Sequence, residues 1–134
     1  MTAATEGRNT KRRNAERVIH VVNTGSTIYA GTLVTLLTAT GLAVPAGTAS
    51  AGVAVGVAQD TVTGDGIKTI EVERSFAYQF ANSAAAELIA KADIGNTCYL
   101  VDNQTVSKTD SVGIRKAAGK IIDVDAGGVW VLVG

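Results

Sequence analysis

Apolar and polar residues alternate with a period of two along most of the chain, as strands with one buried face require. The clearest case is residues 52–80. Val53, Val55 and Val57 alternate there with small residues, and Ile70, Val72, Phe76, Tyr78 and Phe80 alternate with Glu71, Glu73, Ser75, Ala77 and Gln79. Arg74 alone breaks the second row. Residues 60–66 between the two runs supply Asp, Thr and Gly, which tolerate tight backbone, so the stretch predicts a β-hairpin with a turn at its centre. The row Ile70, Val72, Phe76, Tyr78 and Phe80 is the largest apolar row of the chain and is expected in the core or in a subunit interface.

Before this hairpin, residues 16–23 predict a first strand that is apolar on both faces, which suits a strand covered from two sides. Thr24, Gly25 and Ser26 predict a turn, residues 27–29 and 32–38 two short strands separated by a bend at Ala30 and Gly31, and residues 41–52 a small-residue loop around Pro45. After it, Asn82 or Ser83 offers an N-cap, residues 84–92 are strong helix formers and Gly95 follows, so one short α-helix is expected. Strands are then predicted at 97–101, from Val106, at 111–116, at 119–124 and at 128–133, the last two joined by a turn at 125–127.

Composition agrees with a mostly β fold, a small barrel or sandwich-like domain with that one helix. The 134 residues include 17 Val and 16 Thr, which favour strands, beside 21 Ala and 15 Gly, and aromatic residues are only 4%. Small residues bury little area each, which favours assembly as a source of stability.

Charge divides the chain. Arg8, Lys11, Arg12, Arg13 and Arg17 against Glu6 and Glu16 give +3 for residues 1–17, and because the formal net charge is zero the remainder carries −3. Residues 1–15 hold no large apolar residue after Met1 and are expected to form a flexible, extended basic arm ahead of a single domain at 16–134. Arg8, Lys11, Arg12, Arg13 and Arg17 are the candidate docking residues. Between Arg17 and Asp60 there is no Asp, Glu, Lys or Arg, but Gly, Pro, Ser and Thr interrupt the run too often for a membrane span, and the apolar segment lies too far from the start for a signal peptide.

Candidate chemistry is sparse. His20 and Cys98 are single residues remote in sequence, each read as a packed strand residue. Glu71 and Glu73 share a strand face and read as solvated, and Asp60 and Asp65 lack the further ligands of a calcium loop. Gly52 and Gly56 do not precede a helix and make no phosphate loop. No catalysis, metal or cofactor is expected, and direct nucleic-acid binding is disfavoured by the acidic body and the lack of an aromatic stripe.

In order, the segments YAGTLVTLL, GVAVGVAQDTVTGDGIKTIEVERSFAYQF, SAAAELIAKADIGNTCYLVD and SVGIRKAAGKIIDVDAGGVWVLVG resemble those of the small β-rich capsid decoration, or cement, proteins of bacteriophages. The resemblance covers residues 18–134, and the basic arm is longer than that family's usual start. It implies a structural virion protein, frequently trimeric, made in the host cytoplasm, that binds the major capsid protein on the outer surface of an assembled head and stabilises it. A small β-barrel binding module for nucleic acid or carbohydrate is the competing expectation.

Overall fold

The computed structural model describes residues 2–134. The fold is mostly β and has two parts that share a core. The first is a five-stranded sheet made of β1 (Arg17–Val21), β3 (Leu33–Leu36), β4 (Ala43–Pro45), β5 (Gly56–Ala58) and β7 (Thr69–Glu73). Its order is β1-β7-β5-β3-β4, with every neighbouring pair antiparallel. A two-stranded ribbon of β2 (Thr27–Ile28) and β6 (Val62–Thr63) accompanies it. The second part is a closed barrel of β8 (Ala77–Asn82), β9 (Thr97–Leu100), β10 (Thr105–Ser107), β11 (Ala117–Asp125) and β12 (Gly128–Leu132), in the order β10-β8-β12-β11-β9. Closure leaves the barrel no free edge.

The period of two sorts side chains between two clusters. Val34, Ala43, Ala58, Ile70 and Val72 face one side of the sheet and pack with Val22 and with Ile28 of the ribbon. Leu33 and Val57 face the other side and join the barrel interior around Phe80, Leu100, Ile121, Val129 and Val131. The centre of the sheet is therefore covered on both faces, and the doubly apolar pattern belongs to β3, where Leu33 and Val34 are both fully buried. In β1 the same pattern has another outcome. Val18 and His20 are partly buried, whereas Ile19 is 65% exposed.

The hairpin expected over residues 52–80 is interrupted. Strands β5 and β7 do pair, Val57 opposite Glu73 and Ala58 opposite Val72, but β6 lies between them in sequence and pairs with β2. Gly56 permits this packing, because a Cβ there would stand 2.8 Å from the Cβ of Val72. The second run ends at Glu73. Ser75 takes φ +71° and its amide donates to the Val133 carbonyl, after which β8 departs into the barrel.

Three further expectations are corrected. No α-helix forms over 82–92; two 3-10 turns stand there, at Ala85–Glu87 and Lys91–Asp93. The reason is Asn82, whose side-chain oxygen accepts from the Ile89 amide while its nitrogen donates to the Ile89 carbonyl. This clamp buries Ile89 to 1% exposure, a tertiary demand that overrides the local helix propensity of a segment only about two turns long. Residues 41–52 are more than a loop, since β4 lies within them and Ala43 and Val44 are fully buried. Residues 111–116 are a turn and not a strand, with Ser111, Val112 and Gly113 successively left-handed. The hairpin expected of 119–124 and 128–133 forms, and β12 pairs with both β11 and β8.

Candidate docking surfaces

Strand β1 lies at one edge of the five-stranded sheet. The opposite edge, β4, is covered, because Val22 bridges Ala43 and the Asn23 amide donates to the Ala43 carbonyl. Along Arg17–Val21 the outer edge of β1 pairs with no strand among the described residues, and just beyond, at Val22 and Asn23, the same edge closes on β4. Such an edge presents a row of backbone donors and acceptors that another chain can complete. Beside it, Ile19 and Val21 (36% exposed) point outward from the same face.

Residues 2–16 run up to this strand without helix or strand, and every one is exposed, Arg8, Lys11, Arg12 and Arg13 included. Arg17 is different. Its Nη2 donates to Glu73 Oε2 at 2.9 Å and its Nη1 lies 3.6 Å from Glu71 Oε2. Glu73 uses its second oxygen to accept the Tyr78 hydroxyl at 2.7 Å. Burial, together with that carboxylate, pushes the Tyr78 hydroxyl above the ordinary tyrosine range. Arg17 thus anchors the start of β1 to the sheet and, through Glu73, to the barrel, while the other four cations stand apart from it. Glu71 and Glu73, read from the sequence as a solvated pair, are half-buried partners of this anchor.

The apolar row divides between three environments. Ile70 and Val72 belong to the cluster under the ribbon, and Phe80 to the barrel interior. Tyr78 packs partly buried against the barrel cluster, and Phe76 is 46% exposed, its ring edge-on to Tyr78 at 6.4 Å. Arg74, the break in the row, turns away to donate to the Gly134 carbonyl at 3.0 Å.

The groups weighed for chemistry are engaged structurally. Cys98 is buried in the barrel, 3.5 Å from the Gly119 carbonyl, and desolvation pushes its thiol up to about 12. His20 faces the sheet side and burial lowers its pKa. Asp65 accepts from the amides of Ile67 and Lys68, which holds its carboxyl below the usual range and stitches the turn. Among the described residues no three of His, Cys, Asp and Glu gather where they could share a metal ion, and no helix is long and apolar enough to cross a membrane.

The sequence missed one exposed apolar feature. Val112 is 99% and Ile114 78% exposed at the tip of the 110–115 turn. The alternation of SVGIRK imitates a strand, and the signal against it was Asp110, Ser111 and Gly113 in so short a span. No family model, no curated protein and no solved structure matches this chain.

Proposed function

We propose that this chain is a structural virion protein that binds the outer surface of an assembled phage capsid and stabilises it as a cement, or decoration, protein. The observation that carries the reading is the juxtaposition at β1: an open strand edge, two outward apolar side chains, and a basic exposed stretch that leads directly into it. An extended segment of the major capsid protein added to that edge gains main-chain hydrogen bonds, and Ile19 and Val21 supply apolar contact. The cations of residues 8–13 steer the encounter and favour an acidic shell surface. A protein bound only to assembled subunits stabilises the assembly by mass action, and copies that associate, as trimers on the family resemblance, multiply that effect.

Co-sedimentation with undecorated capsids tests the proposal. The full chain is expected to pellet with the shells and to raise their resistance to heat. Deletion of residues 1–15 is expected to weaken binding. A full chain that stays in the supernatant at every concentration would remove the decoration role, and steeply salt-dependent retention on an oligonucleotide column would favour the nucleic-acid module instead.

A further inference from the structure

A second surface lies away from β1. Residues 47–52 and the segment Ile114, Arg115 and Lys116 form opposite walls of a groove of about 660 Å³. Its floor includes Thr35 and Leu100, which are 1% and 5% exposed. The first wall is braced. Thr48 Oγ1 donates to the Pro45 carbonyl at 2.7 Å and Thr38 Oγ1 to the Ser50 carbonyl at 3.0 Å. One end of the first wall abuts the segment that follows β9, where a Cβ on Gly47, at φ +93°, would stand 3.1 Å from Asp102 Cα. The cleft is thus built into the fold.

Its charge is one-sided. Arg115 and Lys116 line it, and no carboxylate does. Arg115 is poorly satisfied: its Nη1 is buried without a hydrogen-bond partner, and Glu87 Oε2 lies 3.4 Å away. Both oxygens of that Glu87 already accept from Thr109, one from the amide and one from the hydroxyl. Lys116 forms no ion pair among the described residues, and nearby Asp102 spends Oδ1 on the Gln104 amide. Arg115 is ion-paired with Glu87, so the cation left free for a ligand carboxylate is Lys116, with the guanidinium adding positive charge beside it. The remaining lining, Leu100, Val101 and Ile114 with small residues opposite, suits short apolar side chains, and the volume far exceeds that of a single small anion.

We propose that this groove binds an extended acidic segment of a partner protein, its carboxylates drawn to Lys116 beside the Arg115 guanidinium and its small apolar side chains laid along Leu100, Val101 and Ile114. The site uses neither β1 nor the basic N-terminal stretch, so it stands whether or not the partner is a capsid shell.

The test is a titration of the full ¹⁵N-labelled chain with a synthetic peptide of alternating Asp and Val. The amides of 47–52 and 114–116 are expected to shift saturably, and less so as salt rises. Lys116→Glu is expected to weaken binding by about three- to tenfold. Ala49→Trp fills the groove without removing a cation and is expected to abolish binding while the rest of the spectrum stays native. A matching Lys–Val peptide is expected to leave the groove amides unmoved. An equal response to that peptide, to inorganic phosphate alone or to an oligothymidine, undiminished binding by Ala49→Trp, or no shift at millimolar Asp–Val peptide would each overturn the proposal.

Discussion

Tyr78, on a barrel strand, donates its hydroxyl to Glu73 Oε1 at 2.7 Å, on the last residue of a sheet strand, and so bonds the two halves of the fold directly. Glu73 is only partly exposed and also carries Arg17. Tyr78→Phe removes the donor and leaves the carboxylate with Arg17 alone, so a loss of about 1–2 kcal/mol in urea denaturation is expected. Because the bond joins the halves, the loss should appear as a lower midpoint with an unchanged slope.

The buried thiol makes stability fall in alkali. Burial raises the folded-state pKa of Cys98 from 9.0 to about 12, so the protonated form is the one the fold favours. The contribution is fully present below pH 9.0, where both states are protonated, and is lost progressively as pH rises through about 12. Within that window stability should fall by up to about 1.4 kcal/mol per pH unit from this one group. Tyr78, also raised, adds to the loss above its ordinary pKa of about 10. Denaturation midpoints measured from pH 8 upward should flatten in Cys98→Ala, and further in the double variant with Tyr78→Phe; an unchanged pH slope in both would contradict the burial of these groups.

Phe76 and Phe80 stand four residues apart in one alternating row, yet the structure separates their energetics. Phe80 is 6% exposed inside the barrel, and Phe80→Ala should cost about 3–5 kcal/mol. Phe76 is half-exposed and keeps only part of that burial, so Phe76→Ala should cost about 1 kcal/mol. Parallel denaturation curves check the pair, and equal losses would mean that Phe76 is covered by another chain in solution.

These two residues also mark what the sequence could and could not reveal. Strand identity was legible wherever one face is buried, as in β7, β9 and β12, because alternation records burial directly. Partnership was not. Arg74 interrupts the row but Phe76 resumes it in the same phase, so the pattern reads as one strand and does not show that Ser75 turns the chain from sheet to barrel at φ +71°. The helix failed for a related reason: Ala84, Ala85 and Ala86 record propensity, while the deciding contact is the clamp of Asn82 on Ile89. The exposed face of β1 was readable as apolar, but whether a neighbouring layer covers it depends on where β5 and β3 lie. The groove walls come from segments more than sixty residues apart, and only the folded chain brings them together.

Val112 occupies a conformation that costs a β-branched residue about 1–2 kcal/mol, at φ +59° with Ser111 at +52° beside it. Its side chain is 99% exposed and contributes no burial in return. Val112→Gly should therefore leave stability unchanged or raise it by up to about 1 kcal/mol, since relief of strain offsets the added freedom of the unfolded chain. A thermal melt decides this, and a loss beyond about 1 kcal/mol would show that the side chain is packed in solution.

Ile19→Asp separates folding from docking at β1. Ile19 is 65% exposed on a strand held by its pairing with β7 and by the Arg17 anchor, so the substitution removes little burial. It also places a carboxylate opposite Glu71, where like charges face each other across the pair. The expected loss of stability is about 0.5–1 kcal/mol, small enough to leave the fold intact. Docking should respond far more, because an edge strand that receives a partner buries Ile19 and cannot bury an unpaired carboxylate without a large desolvation cost. Co-sedimentation with undecorated capsids is expected to fall by at least about tenfold in apparent affinity, while circular dichroism stays native. Undiminished binding by this variant would exclude the face of β1 from the contact and leave the basic stretch at residues 8–13 as the element that must carry it.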